Sequence, residues 1–221
     1  MSAIVIVAVL AVGLVVDQAV PGVHVAVGFG VAAGMVVAGR AGGLTAADLG
    51  LGRSTWMPGL RWGAAAAALV GAAFALSLLI APVREAVPDG DGGLGWATLR
   101  AVLLVVPLGT VVPEELAFRG VLLALLGRRY GVRAGALLSS GLFGLWHVLP
   151  SLGGGAANAT IAGVVGADAG GMAVRVVVTV LFTSLAGVAL CWLRLRSDSL
   201  LAPMMAHWTV NGLGVIVATL A

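Results

Sequence analysis

Apolar residues lie along this chain in long runs, and short polar segments separate the runs. A helix needs about 20 mostly apolar residues to cross a bilayer. Runs of roughly this kind lie at residues 2–16, 19–38, 62–82, 99–127, 134–151, 172–193 and 199–220. The polar or glycine-rich segments between them include 40–61, 84–98 and 152–171. The pattern predicts an all-α fold, a polytopic transmembrane helix bundle of about seven spans.

Composition supports a membrane protein. Of the 221 residues, 61% are hydrophobic and 10% are charged, and the mean hydropathy is +1.13. A soluble domain is about half apolar and a quarter charged, and a chain of this size cannot hide so much apolar surface from water. These values exclude a soluble enzyme, a disordered tail and a nucleic-acid binder. We predict one integral membrane domain over 1–221, with the lipid bilayer as its surroundings and its chemistry within about 99–221.

The arginines predict a topology. The chain has no Lys, and most of its Arg residues fall in the segments 39–61, 128–133 and 194–198. Loops on the cytoplasmic side of a membrane carry an excess of basic residues. We therefore predict that these three segments lie on one side, that this side is cytoplasmic, and that the N-terminus lies there too.

A few polar residues lie inside predicted spans, where they are expensive. An ionisable group inside a bilayer costs roughly 2.5–3.5 kcal/mol on insertion scales and usually marks a functional site. The chain has three Glu and three His in total, yet several of them fall in apolar runs. The set is Glu114, Glu115, Arg119, His147, His207 and Asn211.

Helical spacing indicates on which face of the helix Glu114, Glu115 and Arg119 lie. Glu115 and Arg119 are four positions apart with the acid first, which is the better order for an ion pair on a helix. Glu114 then points about 100° away without a counter-charge on its own helix. Pro113 fits the first turn of a helix, so we expect Glu114 and Glu115 near a positive helix N-terminus.

The depths of the polar residues agree with one another. At the helical rise, Glu114 lies about 20 Å from Arg128 and His147 about 20 Å from Arg133. His207 and Asn211 are four positions apart, share one face, and lie at a similar depth on the last span. We expect one polar pocket that receives side chains from three helices.

Three motifs carry a family resemblance. They resemble the patterns EExxxR, FxxxH and HxxxN of the CPBP intramembrane proteases, a family that includes the type II CAAX prenyl proteases and the Abi-type proteins. All three occur in order and in separate predicted spans. In this chain they read Glu114-Glu115-Leu-Ala-Phe-Arg119, Phe143-Gly-Leu-Trp-His147 and His207-Trp-Thr-Val-Asn211.

The resemblance implies hydrolysis of a peptide bond inside the membrane. It implies that Glu114 activates a water as general base and that His147 and His207 bind or polarise this water. Asn211 is expected to donate to the oxyanion of the tetrahedral intermediate. The residues alone, a candidate base with two imidazoles and a neutral donor, are compatible with the same roles.

Two further features of the site follow from the resemblance. It implies that Glu115 and Arg119 position the site. It also implies a metalloendopeptidase in which Glu114, His147 and His207 bind a divalent metal, with zinc the expected ion. A glutamate and water without metal are also compatible with these residues, since no HExxH helix is present.

The expected substrate is a peptide or membrane protein, prenylated or bacteriocin-like, and the expected location is the bacterial plasma membrane. Alternative functions are a transporter or proton relay and a non-catalytic membrane immunity or scaffold protein. A rhomboid-like serine protease would use Ser140-Gly141 with His207, but leaves Glu114 unexplained. His24 has no partner motif, and we interpret it as structural or interfacial.

Overall fold

The chain folds into a bundle of helices. The computed structural model describes residues 3–20, 22–85, 93–153, 162–163 and 165–220. Residues 86–92 of the predicted loop at 84–98 lie outside the described residues, as do residues 154–161 and 164 of the segment 152–171. The helices of the bundle are α1 (Ala3–Ala19), α2 (His24–Ala41), α3 (Trp56–Ser77), α4 (Ala81–Glu85), α5 (Trp96–Tyr130), α6 (Val132–Ser151), α7 (Ala169–Ser197) and α8 (Leu201–Leu220).

The predicted fold class is confirmed. Within the described residues, six helices are long and apolar enough to cross a membrane, and they are α2, α3 with the turn before it, α5, α6, α7 and α8. Helix α1, the remaining predicted span, has 17 residues, the lower end of the roughly 17–25 residues that span a bilayer. Helix α3 begins at Trp56, earlier than the predicted start at 62.

Helix α5 carries the first motif and differs from the prediction. Its 35 residues span about 50 Å at the α-helical rise, and two segments, Ala101–Val111 and Leu116–Leu122, are wound as π-helix. The expectation that a helix begins at Pro113 is wrong, because the chain is helical on both sides of this residue. Glu114 and Glu115 therefore lie inside a continuous helix rather than at a helix N-terminus that would stabilise their charge.

The first motif lies in the middle of the bundle. Each residue from Leu116 to Leu123 is buried, and Phe118 and Val121 belong to the main apolar core together with residues of α1, α2 and α6. Ser139 of α6 donates a hydrogen bond of 2.6 Å to the carbonyl of Phe118. Helix α5 thus places its polar side chains where several other helices can reach them.

The three Arg-rich segments meet at one end of the bundle, as predicted. Arg128, near the end of α5, lies 3.0 Å from the Asp48 carboxylate in the loop after α2. Arg194, in the last turn of α7, donates 2.9 Å to the Asp48 carbonyl. Gly50 has φ +75° and packs against the Arg194 guanidinium, where a side chain on Gly50 would clash.

The pKa of Asp48 predicts a weakening of this end at low pH. Hydrogen bonds from the hydroxyl and the amide of Thr45 to the carboxylate, with a smaller contribution from Arg128, lower the pKa of Asp48. A pKa that is lower in the folded state stabilises the fold above the unfolded value of about 3.9 and loses this stabilisation as pH falls. We expect the Tm advantage of wild type over Asp48→Asn, measured in detergent, to shrink from about pH 6 to about pH 3. An advantage that is constant over this range would contradict the assignment.

Candidate active site

Glu114 is a half-buried carboxylate, 12% exposed, and one of its two oxygens has a hydrogen-bond partner. The indole Nε1 of Trp146 on α6 donates 2.9 Å to Glu114 Oε1. Glu114 Oε2 is buried and has no hydrogen-bond partner among the described residues. A buried polar atom without a partner costs about 1–3 kcal/mol, and more when it is charged. Such an atom in a native fold is the place where a ligand or water is expected to bind.

Glu115 and Arg119 form the predicted ion pair. Arg119 Nη1 donates 2.9 Å to Glu115 Oε1, and the two side chains are 1% exposed for Arg119 and 0% for Glu115. The guanidinium of Arg119 also lies 4.0 Å from the centre of the Phe143 ring. The pair is therefore fully enclosed in the protein, with an aromatic face beside its cation.

His207 joins the two glutamates. Its Nδ1 lies 2.8 Å from Glu115 Oε1, and its Nε2 lies 3.2 Å from Asn211 Nδ2 and 3.8 Å from Glu114 Oε2. Because a carboxylate accepts hydrogen bonds, Nδ1 carries the proton, and Nε2 then accepts from the Asn211 amide. Glu115 fixes the orientation of the imidazole, and Nε2 is presented to Glu114 and Asn211.

His147 lies where α6 has an irregular turn, between the segments Val132–Trp146 and Val148–Ser151. Its Nδ1 is 2.7 Å from the carbonyl oxygen of Phe143, so Nδ1 donates and Nε2 is the basic nitrogen of a neutral ring. The imidazole packs edge-on against the Phe143 ring at 4.6 Å between centres. Phe143 thus contacts both His147 and Arg119, which explains its place in the motif.

Two cavities meet at these side chains. The larger, about 490 Å³, lies among α3, α6, α7 and α8, and its walls are mostly apolar but include His147, His207 and Asn211. The smaller, about 250 Å³, lies among α1, α2, α5 and α6, and its walls include Glu114 and His147. We call them the apolar cavity and the polar cavity. His147 lines both cavities.

The zinc prediction requires that Glu114, His147 and His207 converge on one ion. No group of three or more His, Cys, Asp or Glu side chains within the described part of the chain is arranged to hold a metal ion. The Nε2 atom of His207, which would have to bind the ion, lies 3.2 Å from the Asn211 amide nitrogen. The assignment of zinc to Glu114, His147 and His207 stays a prediction, and no chemical step below passes through a metal.

Ser140, the nucleophile of the serine-protease alternative, is engaged elsewhere. Its hydroxyl donates 2.7 Å to the Ala136 carbonyl one turn earlier on α6 and lies 3.7 Å from Cys191 Sγ. The imidazole of His207 instead contacts Glu115 and Asn211. The geometry therefore gives no support to a Ser140–His207 pair.

Sequence reasoning missed the role of Trp146. The residue stands inside the second motif, directly before His147, but an indole at this position is typical of a packing residue. A signal was present, because a buried indole N–H almost always finds an acceptor and Glu114 was the carboxylate without a partner on its own helix. The structure joins the two at 2.9 Å.

Trp146→Phe tests this contact. The variant keeps most of the aromatic volume but removes the donor to Glu114 Oε1. A hydrogen bond to a charged group contributes about 1.5–3 kcal/mol, so we expect any activity that depends on Glu114 to fall roughly 10- to 100-fold. The rate of substrate cleavage by purified protein is the measurement. A variant with the wild-type rate would show that the indole does not orient Glu114.

A comparison with protein families matches the part of the chain that holds this cluster. A family model described as type II CAAX prenyl endopeptidase Rce1-like matches residues 94–213, more than half of the chain. The matched segment contains every side chain of the cluster around Glu114 and His207. No curated protein matches the chain, and no solved structure matches it.

Proposed function

Since the chain belongs to the Rce1-like family of type II CAAX prenyl endopeptidases, we propose that it hydrolyses peptide bonds within the membrane with a water activated by Glu114. The family implies a peptidase, and the helices indicate an integral multi-pass membrane protein. One observation carries the mechanistic proposal. Glu114 Oε2 is buried without a hydrogen-bond partner among the described residues, 3.8 Å from the Nε2 atom of His207.

The first step is attack by water. Glu114 accepts a proton from a water, and the hydroxide attacks the carbonyl carbon of the scissile peptide bond. His147 Nε2 supplies a second acceptor for the same water, which orients its lone pair toward the substrate. The donor from Trp146 to Oε1 restricts the carboxylate rotamer, so Oε2 is the oxygen that takes the proton.

The second step is stabilisation and collapse of the tetrahedral intermediate. The amide nitrogen of Asn211 has two hydrogens, and one of them is used by His207. The other is directed to the oxyanion that forms as the carbonyl is attacked. Glu114 then gives its proton to the leaving amine, the C–N bond breaks, and the products are a carboxylic acid and an amine.

Glu115 and Arg119 have a positioning role in this proposal. Glu115 accepts from both Arg119 Nη1 and His207 Nδ1, so the ion pair holds the imidazole that in turn holds Asn211. Neither side chain lines either of the two cavities that share His147. Their effect on catalysis therefore passes through His207.

The apolar cavity supports a substrate with a long apolar group. Trp62, Leu69, Phe182 and Val210 line this cavity, and the imidazole of His207 lies in its wall. An isoprenyl chain or the apolar side chains of a membrane peptide would exchange lipid contacts for protein contacts there. We propose a prenylated C-terminal peptide as the substrate class, cleaved by a protein of the bacterial plasma membrane whose Arg-rich end faces the cytoplasm.

The test is cleavage by the purified protein in detergent. Matched peptides with and without a farnesyl group on cysteine, and an unprenylated membrane peptide, are analysed by mass spectrometry with and without chelator. The proposed mechanism, in which no step passes through a metal, predicts that internal cleavage of the farnesylated peptide persists with chelator. Cleavage that stops with chelator and returns with zinc would support the metal prediction, and a protein that cleaves no peptide would refute the proposed function.

A further inference from the structure

We propose that the polar cavity is a separate chamber that delivers the hydrolytic water to Glu114, and that His24 and Thr110 are positioning residues that hold the water in it. The inference rests on the proposed function. On this proposal the substrate occupies the apolar cavity. Water reaches the Glu114 carboxylate through the polar cavity, on the other side of His147.

The composition of the polar cavity suits water. Glu114, Trp146 and His147 form one part of its wall, and His24 and Thr110 form another. A buried site holds water when it is roomy and offers each water two to four polar partners. A volume of about 250 Å³ has room for water, and the unpartnered Oε2 atom of Glu114 gives that water an acceptor. The rest of this wall is mostly apolar, so His24 and Thr110 supply the polar atoms away from the active site.

His24 of α2 contacts Thr110 of the neighbouring helix α5. Its Nε2 lies 3.0 Å from Thr110 Oγ1, and Thr110 stands four residues before Glu114 on α5. The winding of α5 over Ala101–Val111 is π-helical, so residues four to five apart share a face. The His24–Thr110 pair therefore lies about one turn from Glu114 on the same cavity wall.

Two glycines let α2 and α5 approach closely enough for this contact. A Cβ atom on Gly109 would lie 2.7 Å from His24 Nε2, and a Cβ on Gly28 would lie 2.6 Å from the Leu108 carbonyl oxygen. A larger residue at either position would push the helices apart. The local sequence thus places the imidazole of His24, an expensive group inside a membrane and one that none of the three motifs includes, in the cavity that Glu114 and His147 also line.

The active-site side chains are distributed between the two cavities, and this explains why water needs a route of its own. Glu114 lines the polar cavity, His207 and Asn211 line the apolar cavity, and His147 lines both. Once an apolar substrate fills the larger cavity, water cannot reach Glu114 through it. A supply from the α2 side lets the peptide and the water meet at Glu114 without displacing each other.

The test fills each cavity with the same substitution. Val27 lines the polar cavity and Val70 lines the apolar cavity, so Val27→Phe and Val70→Phe are a matched pair. With the farnesylated peptide, we expect Val27→Phe to lower kcat roughly 10- to 100-fold with unchanged KM, and Val70→Phe to raise KM. A Val27→Phe variant with wild-type kcat, or with the same rise in KM as Val70→Phe, would overturn the inference.

A second pair keeps the test decisive if Val27→Phe does not fold. His24→Leu removes the polar ring, whereas His24→Gln keeps a hydrogen-bonding side chain. We expect kcat to fall about 10-fold in His24→Leu with an increased solvent deuterium isotope effect, and to recover largely in His24→Gln. Equal rates and isotope effects in both variants would overturn the role of His24. A wild-type protein that cleaves nothing would instead refute the proposed function, and this inference with it.

Discussion

Glu114→Gln is expected to lower kcat by about 100- to 10,000-fold, the range that a general base contributes. The substitution keeps the shape of the side chain and an oxygen for the Trp146 indole, but it removes the group that accepts the proton of water. Because Glu114 Oε2 has no hydrogen-bond partner among the described residues, the amide breaks no second hydrogen bond there. The measurement is single-turnover cleavage with enzyme in excess.

Glu85→Gln is the matched control for this result. Glu85 is an exposed carboxylate at the end of α4, outside both cavities, and its substitution should leave the cleavage rate and Tm unchanged. Glu114→Gln should also keep the Tm of wild type within a few degrees. A Glu114→Gln protein that is folded and cleaves at the wild-type rate would remove Glu114 from the mechanism.

Arg119→Met is expected to have the largest effect on stability. The substitution leaves the carboxylate of Glu115 buried without its cation, and breaking a buried pair in this way costs about 3–5 kcal/mol. The loss of the cation also removes the contact with the face of the Phe143 ring. The measurement is the free energy of unfolding in mixed detergent micelles, with Tm as a second readout.

The double variant Glu115→Gln/Arg119→Met is the control for this explanation. It removes both charges, so no uncompensated carboxylate is left, and we expect it to be more stable than Arg119→Met alone. Its cleavage rate should remain below that of wild type, because the neutral amide that replaces the Glu115 carboxylate would hold His207 Nδ1 less firmly. A double variant less stable than Arg119→Met would show that the pair contributes stability by itself rather than by mutual neutralisation.

Much of the fold follows from apolar segments alone. The helices lie where apolar runs were long enough to cross a membrane, and the Arg-rich segments meet at one end through Asp48, Arg128 and Arg194. The Glu115–Arg119 pair follows from its spacing of four residues, because both partners are on one helix. These features are local, and local spacing determines them.

The other contacts of the site join different helices, and the spacing of residues along one helix does not predict them. The indole of Trp146 reaches Glu114, and His207 reaches Glu115, only once α5, α6 and α8 have packed. The helix start expected at Pro113 was wrong because a proline signals an N-terminus only when the preceding residues are not helical. Here α5 absorbs this proline within a helix that is partly π-wound.

The interpretation of His24 shows the same limit. His24 has no partner motif in the sequence, and its contact with Thr110 is compatible with the structural role predicted for it. Its contact with Thr110 arises from the close approach of α2 and α5 at Gly28 and Gly109. Glycines of this kind are visible in the sequence, but the helix that fills the space beside them is not.

Glu114 on α5 and His207 on α8 act as one catalytic unit in the proposed mechanism, and a double-mutant cycle tests this coupling most directly. Single-turnover rates are measured for wild type, Glu114→Gln, His207→Gln and the double variant on the same farnesylated peptide. Residues that act as a unit show strongly non-additive losses, so we expect the double variant to be about as slow as the slower single variant. A loss equal to the product of the two single losses would mean that Glu114 and His207 act independently, and would contradict the claim.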